Sequence, residues 1–141
     1  MNQEIIASLN RILEQEHACA IRYATHAAVV TGPYSETIKA RLKEIAQDEI
    51  DHAEKLRDRI TALGGRPSIQ VSVADLKYAD TLNEILDINI LEEREAIRAY
   101  EEVFRRIPVE NVILYQTLQE LIRDEQEHLE ELEDLRPHTK G

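Results

Sequence analysis

The chain has 141 residues, a length at which a single domain can bury a core of its own. Its formal net charge is −11, and the concentrated Lys and Arg that phosphate binding requires are missing, so nucleic acid is not expected as a partner. Aromatic residues make up only 4% of the sequence while Leu, Ile, Ala, Glu and Arg are frequent, which favours long helices and an all-α fold.

The cysteine content and the hydropathy indicate the cellular compartment of the protein. The single cysteine, Cys19, excludes a disulfide framework within the chain and is typical of a reducing environment. Residues 1–6 lack the pattern of a signal peptide, and no apolar run approaches the length of about 18 residues that a membrane span needs. The sequence therefore predicts a soluble, cytoplasmic protein with no membrane partner.

Two amphipathic helices are predicted in the first half of the chain. Apolar residues recur at steps of three, four or seven over about residues 2–31, and Gly32 and Pro33 end this helix. A second helix with the same period covers about residues 35–63. Gly64 and Gly65 follow it, and glycine can supply the left-handed cap that ends a helix.

The second half of the chain contains two more predicted helices, after a long connection. Residues 64–78 include Pro67 and alternating apolar residues, a pattern compatible with a strand, but no second strand is available for pairing. A connection of this length in a small helical domain is expected to span the height of a bundle. Helical periodicity covers about residues 80–106 and, after Pro108, about residues 109–135, where Pro137 closes the last helix. We therefore predict one domain, residues 1–141, folded as a four-helix bundle with a long crossover between helices 2 and 3.

Polar residues interrupt the apolar face of each predicted helix near its middle. Four buried carboxylates would repel one another and cost several kcal/mol each, whereas two divalent cations would neutralise them and two imidazoles would complete the coordination. One Glu from each of two helices and Glu-x-x-His from each of the other two is the ligand set of di-iron carboxylate bundles. The predicted metal ligands are Glu16, Glu49, His52, Glu93, Glu125 and His128.

An internal repeat supports this prediction independently. The two halves of the chain carry the same seam residues at a nearly constant spacing, as expected for two copies of one helical hairpin related by a pseudo-twofold axis. Glu16 and Glu93 lie 77 positions apart, as do Tyr23 and Tyr100, while Glu49 and Glu125, like His52 and His128, lie 76 apart.

The motifs around these residues resemble the bacterioferritin branch of the ferritin-like superfamily over most of the chain, from Leu9 to Leu135. The segments concerned are Leu9 to Leu13 followed by Glu16, Tyr23, His26 and Ala27; Asp48 to Ala53; and Arg123 to His128, with Glu93 at the third-helix ligand position. The resemblance implies a ferritin-like fold and a di-iron site in which Glu49 and Glu125 bridge the metals. Glu16 with His52, and Glu93 with His128, would then be terminal ligands.

The sequence departs from the bacterioferritin pattern at two places. The family's haem is held by a methionine directly after the second-helix Glu, but Ile50 occupies that position and the only methionine is Met1, so haem is not expected. Only residues 136–141 follow the fourth helix, so the short fifth helix of the family's 24-subunit cage is not expected either.

A dimer is nevertheless expected by the resemblance. A second apolar row on helices 1 and 2 is expected to need cover, and related bundles bury comparable faces in an antiparallel twofold dimer, while a larger cage is left open. The row consists of Ile6, Leu13, Ala20, Ala24, Ala27, Ile38 and Ile50.

Residues next to the predicted ligands have more than one interpretation. Asp48 and Asp124 are hypothesised to orient His128 and His52 across the helices, the alternatives being a solvated face or an inner-surface iron site with Glu44. Tyr23 and Tyr100 could donate a hydrogen bond or an electron to the metal site, or they could simply pack in the core. Burial of Cys19 as a small apolar residue is favoured over a redox role. Three histidines lie outside the ligand set: His17 and His138 are predicted at the surface and His26 in the core.

The function predicted from these features is oxidation of Fe(II) by O₂ or H₂O₂ at a di-iron centre, a ferroxidase activity that serves iron storage or detoxification. Manganese or zinc are conceivable substitutes for iron, because ligand type alone does not exclude them. The alternative is a rubrerythrin-type oxidoreductase that reduces peroxide or oxygen and stores no iron. The absence of a Cys-x-x-Cys module counts against this alternative but leaves a separate electron donor open.

Overall fold

The computed structural model describes residues 2–136, which form four long helices and no strand. Pro137, which is predicted to close the last helix, and His138 lie outside the described residues, as does Met1. The helices are α1 (Asn2–Val29), α2 (Ser35–Ala62), α3 (Leu82–Phe104) and α4 (Val112–Leu135). Helix α1 packs most extensively on α2, and α3 on α4. The predicted all-α bundle of two helical hairpins is confirmed.

The helix ends follow from local capping interactions. Gly64 has φ +87° and its N–H donates to the Thr61 carbonyl, so it forms the left-handed cap expected of a glycine at the end of α2. Helix α3 begins at Leu82 because Thr81 and Glu84 form a capping box with their side chains and backbone N–H groups. Helix α4 begins three residues beyond Val109, because the Pro108 carbonyl accepts from Asn111 in a turn.

The connection between α2 and α3 runs along α1 as a crossover, from Asn10 to His26. It contains a short 3₁₀ helix at Val73–Asp75 and is held by hydrogen bonds to side chains that lie successively further along α1. Those partners on α1 are, in order along the crossover, Asn10, Glu14, His17, Arg22 and His26. The crossover therefore spans the bundle height, which places α1 and α3 antiparallel.

Two apolar clusters fill the bundle, one towards each end. One contains Tyr23, Leu42 and Leu86, and the other contains Leu9, Leu56 and Tyr100. The charged residues of the predicted metal site lie between these clusters, at mid-height. No helix within residues 2–136 combines the length and hydropathy needed to cross a bilayer.

The second apolar row on α1 and α2 is only partly exposed, which corrects the sequence-based expectation. Leu13, Ala27 and Ile38 are buried in the core of the single chain, because the core-facing stripe is wider than one row of residues. Ala24 and Ile50 remain exposed, and Ile21, which the row did not include, is exposed beside them.

Candidate metal centre

The six predicted ligands come together at mid-height, and each is at least 98% buried. They form two groups of four, in each of which one ligand atom per residue lies within 4.8 Å of the others. The first group consists of Glu16, Glu49, His52 and Glu125, and the second consists of Glu49, Glu93, Glu125 and His128. Two carboxylates therefore belong to both groups, as two adjacent metal positions with shared ligands would require.

The imidazole Nδ1 atoms face the middle of the cluster. His52 Nδ1 lies 2.9 Å from Glu16 Oε2 and 3.1 Å from Glu49 Oε1. His128 Nδ1 lies 3.0 Å from Glu125 Oε1 and 3.6 Å from a Glu93 oxygen. The two rings are stacked with centroids 6.1 Å apart. This arrangement has the approximate twofold symmetry that the internal repeat predicts.

Several carboxylate oxygens in the cluster have no hydrogen-bond partner among the described residues. The buried oxygens that lack such a partner are both oxygens of Glu49, one of Glu93 and one of Glu125. A buried, unpaired charge costs several kcal/mol, so such atoms need protons or cations nearby. Carboxylate oxygens and imidazole nitrogens are common ligands of divalent transition metals. The residues present therefore fit a pair of metal ions.

Tyrosine hydroxyls form hydrogen bonds with Glu93 and Glu16, the two carboxylates that each belong to only one of the two groups. Tyr23 donates to Glu93 Oε2 at 2.5 Å, and Tyr100 donates to Glu16 Oε2 at 2.9 Å. Burial and the neighbouring carboxylates raise the pKa of both phenols well above its ordinary value, so they stay protonated and act as donors. Of the three interpretations of these tyrosines, the structure shows the first: both hydroxyls donate hydrogen bonds to carboxylates of the cluster.

Asp48 and Asp124 pair with the imidazoles across the α2–α4 interface, as hypothesised. His128 Nε2 lies 2.9 Å from Asp48 Oδ2, and His52 Nε2 lies 3.0 Å from Asp124 Oδ2. Each imidazole thus has a carboxylate at both ring nitrogens, one inside the cluster and one at its edge.

The carboxylates and imidazoles share protons in the metal-free state. Burial, with repulsion from Glu16 and Glu93, raises the pKa of Glu49 to about 7, and burial likewise raises the pKa of Glu125. Burial opposes charge on the imidazoles, but hydrogen bonds to the carboxylates outweigh it and raise the pKa of His128 to about 9 and that of His52 further. Protons therefore supply the compensating charge when metal is absent.

We expect the metal-free protein to lose stability as the pH rises from about 5 to 9. Groups whose pKa is raised on folding stabilise the fold below their unfolded-state pKa, and this contribution is lost as the pH passes their folded-state pKa. For Glu49 that interval runs from 4.5 to about 7, and for His128 from 6.5 to about 9. Thermal unfolding with a chelator at pH 5.5, 7 and 8.5 should show a falling midpoint, with a shallower slope below pH 7 for Glu49→Gln. A midpoint that rises across this range would contradict the assignment of charges.

A buried arginine beside the carboxylate and imidazole cluster was not predicted from the sequence. The side chain of Arg22 has no exposed area, and it donates to Asn89 Oδ1 at 2.8 Å, to the Asp75 carbonyl at 2.9 Å and to Cys19 Sγ at 3.3 Å. Its position three residues after Cys19 and four before His26 places it on the core stripe, and this spacing was the available signal. Cys19 is buried, and burial raises its pKa, so it is a neutral thiol.

The remaining described histidines are fixed by hydrogen bonds. Asn89 donates to His26 Nδ1, so the Nε2–H of His26 donates to the Lys77 carbonyl, as expected for a core histidine. His17 is half-buried, whereas the sequence placed it at the surface. Its ring accepts from Arg57 and donates to the Gln70 carbonyl, because the crossover covers that part of α1.

A cleft of about 580 Å³ on the α1–α2 face reaches the cluster from outside. Its walls are mostly apolar and include Ile21, Ile50 and Ile69, with Arg57 at its side and Glu16 among the lining residues. Ile50, which stands where the haem-ligating methionine of the resembled family would be, has a hydrocarbon side chain with no donor atom.

A four-helix bundle with overlapping Glu/His clusters at mid-height defines the class of carboxylate bundles that bind two metals. The model of the ferritin-like domain family matches residues 6–140, and the chain belongs to this family. Among curated relatives, the bacterioferritin of Desulfovibrio desulfuricans is 27% identical over 140 residues, which cover 98% of this chain and 77% of the relative. The bacterioferritin of Brucella melitensis is 27% identical over 132 residues, covering 92% and 81%. The predicted bacterioferritin-like branch is confirmed.

Solved structures give the same result. A protein from Bacillus anthracis described as a ferritin-like, diiron-carboxylate protein superposes with a TM-score of 0.90 and 32% identity, covering 96% of this chain and 97% of that one. A dodecameric thioferritin from Bacteroides fragilis superposes with a TM-score of 0.88 and 25% identity, covering 95% and 84%. The buried carboxylate and imidazole groups of this chain are compatible with a two-metal site.

Proposed function

We propose that this protein is a ferroxidase that binds two Fe(II) ions in the buried cluster and oxidises them with O₂ or H₂O₂. The observation that carries the proposal is the pair of four-residue groups that share Glu49 and Glu125. The likeness to bacterioferritins and to a diiron-carboxylate protein supports iron as the metal. When bound, the iron pair supplies two electrons, which convert O₂ to H₂O₂ or H₂O₂ to two water molecules with uptake of two protons.

The ligand roles follow from membership in the two groups. Glu49 and Glu125 belong to both groups and are proposed to bridge the metals. Glu16 with His52, and Glu93 with His128, are proposed as the unshared ligands of each metal; these pairs are joined at Nδ1 by 2.9 Å and 3.6 Å contacts. The four carboxylates balance the charge of two divalent ions, and manganese or zinc would satisfy the same donor set.

The chain's own residues prepare the site for metal. Tyr23 and Tyr100 restrain the unshared carboxylates by donating to one oxygen of each. The Nδ1 proton of each imidazole occupies the direction in which a metal would bind, so metal uptake releases that proton and binding strengthens as the pH rises. The six ligands are buried between the two apolar clusters, and the low local dielectric there strengthens the interaction between the carboxylates and a bound cation.

Iron loading tests this function. We expect rapid aerobic oxidation of two Fe(II) per chain, followed by slower uptake of further iron that cosediments with the protein. A small species that holds two irons per chain and turns over peroxide with an external electron donor would favour the rubrerythrin-type alternative. A protein that neither binds nor oxidises Fe(II) would contradict both.

We further propose that two chains associate through the α1–α2 face. Ile21 and Ile50 are 47% and 50% exposed there beside the apolar cleft, and isologous twofold dimers are the commonest closed assembly. The description of the Bacteroides relative as dodecameric supports an oligomer and leaves a larger cage open. Haem is not part of this proposal, because Ile50 offers no ligand.

Light scattering tests the dimer. We expect Ile21→Asp to shift the mass towards that of one chain, because the charge would be buried at the interface. The control is Ile113→Asp, which changes a residue of similar exposure on α4 and should leave the mass unchanged. A wild-type mass equal to one chain would refute the dimer, while a mass several times that of two chains would reveal a closed cage.

A further inference from the structure

The surroundings of the two cluster tyrosines break the approximate twofold symmetry of the site. Arg22 directly precedes Tyr23, and its guanidinium carbon lies 5.4 Å from the centroid of the Tyr23 ring, within the range of a cation–π contact. The equivalent position of the repeat, 77 residues further along the chain, is Ala99, which directly precedes Tyr100 and carries no charge. A permanent positive charge therefore lies against one tyrosine, and the repeat provides no counterpart for the other.

The groups that hold the guanidinium are not duplicated in the repeat either. Arg22 donates to Asn89 Oδ1 at 2.8 Å and lies 3.5 Å from an oxygen of Glu92. The positions 77 residues before these two partners are occupied by Ile12 and Gln15, neither of which carries a negative charge. The asymmetry is therefore encoded in the sequence of the two hairpins and extends over the whole environment of the arginine.

The guanidinium acts on the hydrogen bond that joins Tyr23 to the cluster. Tyr23 donates to Glu93 Oε2 at 2.5 Å, whereas Tyr100 donates to Glu16 Oε2 at 2.9 Å. Burial and the neighbouring carboxylates raise the pKa of Tyr23, and the charge of Arg22 acts against them. A phenol made more acidic by a cation is a stronger donor, and a stronger hydrogen bond to a carboxylate makes that carboxylate less basic. The arginine therefore acts on the metal position that contains Glu93 (the Glu93 position) rather than on the one that contains Glu16 (the Glu16 position).

We propose that Arg22 is a positioning residue of the metal centre that acts through Tyr23 and makes the Glu93 position the weaker of the two metal positions. This inference rests on the proposed metal site but not on its oxidase chemistry. The positive charge repels a cation at the Glu93 position and also weakens Glu93 as a ligand, so both effects have the same sign. The Glu16 position should therefore fill first.

A purely structural role for Arg22 predicts the opposite result. If the guanidinium only joined α1 to α3 and to the crossover, its loss would loosen Tyr23 and weaken metal binding at the Glu93 position. The electrostatic role predicts tighter binding there, because the repulsion disappears. Glu92 provides a second test, since one of its oxygens lies 3.5 Å from the guanidinium and 3.5 Å from Lys77 Nζ. Loss of that carboxylate would leave both positive charges without this partner and should weaken the Glu93 position further.

The experiment is a calorimetric Co(II) titration of the full-length, metal-free protein, with anomalous diffraction at one Co(II) per chain to locate the ion. The wild type should show higher occupancy at the Glu16 position. Arg22→Gln should tighten binding at the Glu93 position on the order of tenfold, the size of effect expected for one buried charge at an effective dielectric of about 20. Glu92→Gln should shift the occupancies in the opposite direction, and Arg22→Lys, which keeps the charge, should resemble the wild type.

The matched control is Arg98→Gln, which also removes one positive charge. The Arg98 side chain is 69% exposed on α3 and pairs with Glu95 at 2.9 Å, so solvent screens its charge. This variant should keep both wild-type Co(II) affinities. Thermal unfolding of the metal-free variants confirms that each is folded, and Glu92→Gln and Arg22→Lys decide the matter if Arg22→Gln does not fold.

Equal occupancy of the two positions in the wild type would overturn the inference and leave the two-metal site intact. Weaker binding at the Glu93 position in Arg22→Gln, or the same direction of change in Arg22→Gln and Glu92→Gln, would also overturn it, because loss of packing would then suffice. A wild type that binds no Co(II) in the cluster would refute the metal site and this role together. Unequal binding of two Co(II) by a protein that does not oxidise Fe(II) would refute the ferroxidase and support the role of Arg22.

Discussion

Replacing Glu49 or Glu125 by Gln is expected to slow the fast phase of Fe(II) oxidation by at least about 100-fold, because each carboxylate is proposed to bind both metals. The metal-free variant should be as stable as the wild type or more stable. Glu49 is fully buried and the neighbouring carboxylates of Glu16 and Glu93 repel its charge, so a neutral amide of the same shape removes that repulsion. Stopped-flow absorption and thermal unfolding measure the two effects.

The control for this experiment is Glu127→Gln, an exposed glutamate of α4 two residues after Glu125. It should leave both oxidation and stability unchanged, because it lies outside the cluster. A folded Glu49→Gln variant that oxidises Fe(II) at the wild-type rate would rule out the shared-ligand assignment. A variant that is much less stable without metal would instead show that Glu49 is a structural residue whose charge is already compensated.

Metal binding should raise the unfolding temperature strongly. A ligand that binds only the folded state contributes about 2.7 kcal/mol at a free concentration 100 times its dissociation constant, so two ions together contribute roughly 5 kcal/mol. For a chain of this size the corresponding shift is on the order of 15 °C. Calorimetric scans of the metal-free protein with anaerobic Fe(II), or with Zn(II) as a redox-inert ion, measure it.

Two further measurements test the predicted stabilisation by metal. Glu49→Gln should lose most of the metal-dependent shift even if its metal-free form unfolds at a higher temperature than the wild type. A wild-type shift of only one or two degrees at saturating metal would mean that the buried carboxylates keep their protons and do not release them to bind a cation.

The clustering of the six carboxylate and imidazole residues could be predicted because helical periodicity decides which side chains share a face. His52 and His128 each follow a seam Glu by three residues, so one helical turn places the Glu and the His together. The repeat of this spacing in the second half of the chain then indicated which faces meet. The long crossover was predictable for a similar reason, since the chain between α2 and α3 is too long for a tight turn.

The surroundings of the cluster depend on contacts that periodicity does not encode. Arg22 is buried because the crossover carbonyl of Asp75 and the side chain of Asn89 satisfy its guanidinium, and neither partner can be inferred from the spacing within α1. Leu13 and Ile38 were assigned to an exposed row, but they are covered by other parts of the same chain. Such features require the relative placement of the helices and of the crossover, which the pattern of one helix does not give.

Anomalous diffraction from crystals of the metal-loaded protein tests the central claim most directly. We predict two metal peaks per chain roughly 3.5–4 Å apart, as in other two-metal sites, with the carboxylates of Glu49 and Glu125 within bonding distance of both. Glu16 and His52 should contact one metal, and Glu93 and His128 should contact the other. A single peak at full loading, or metal bound only at the acidic surface, would contradict the account.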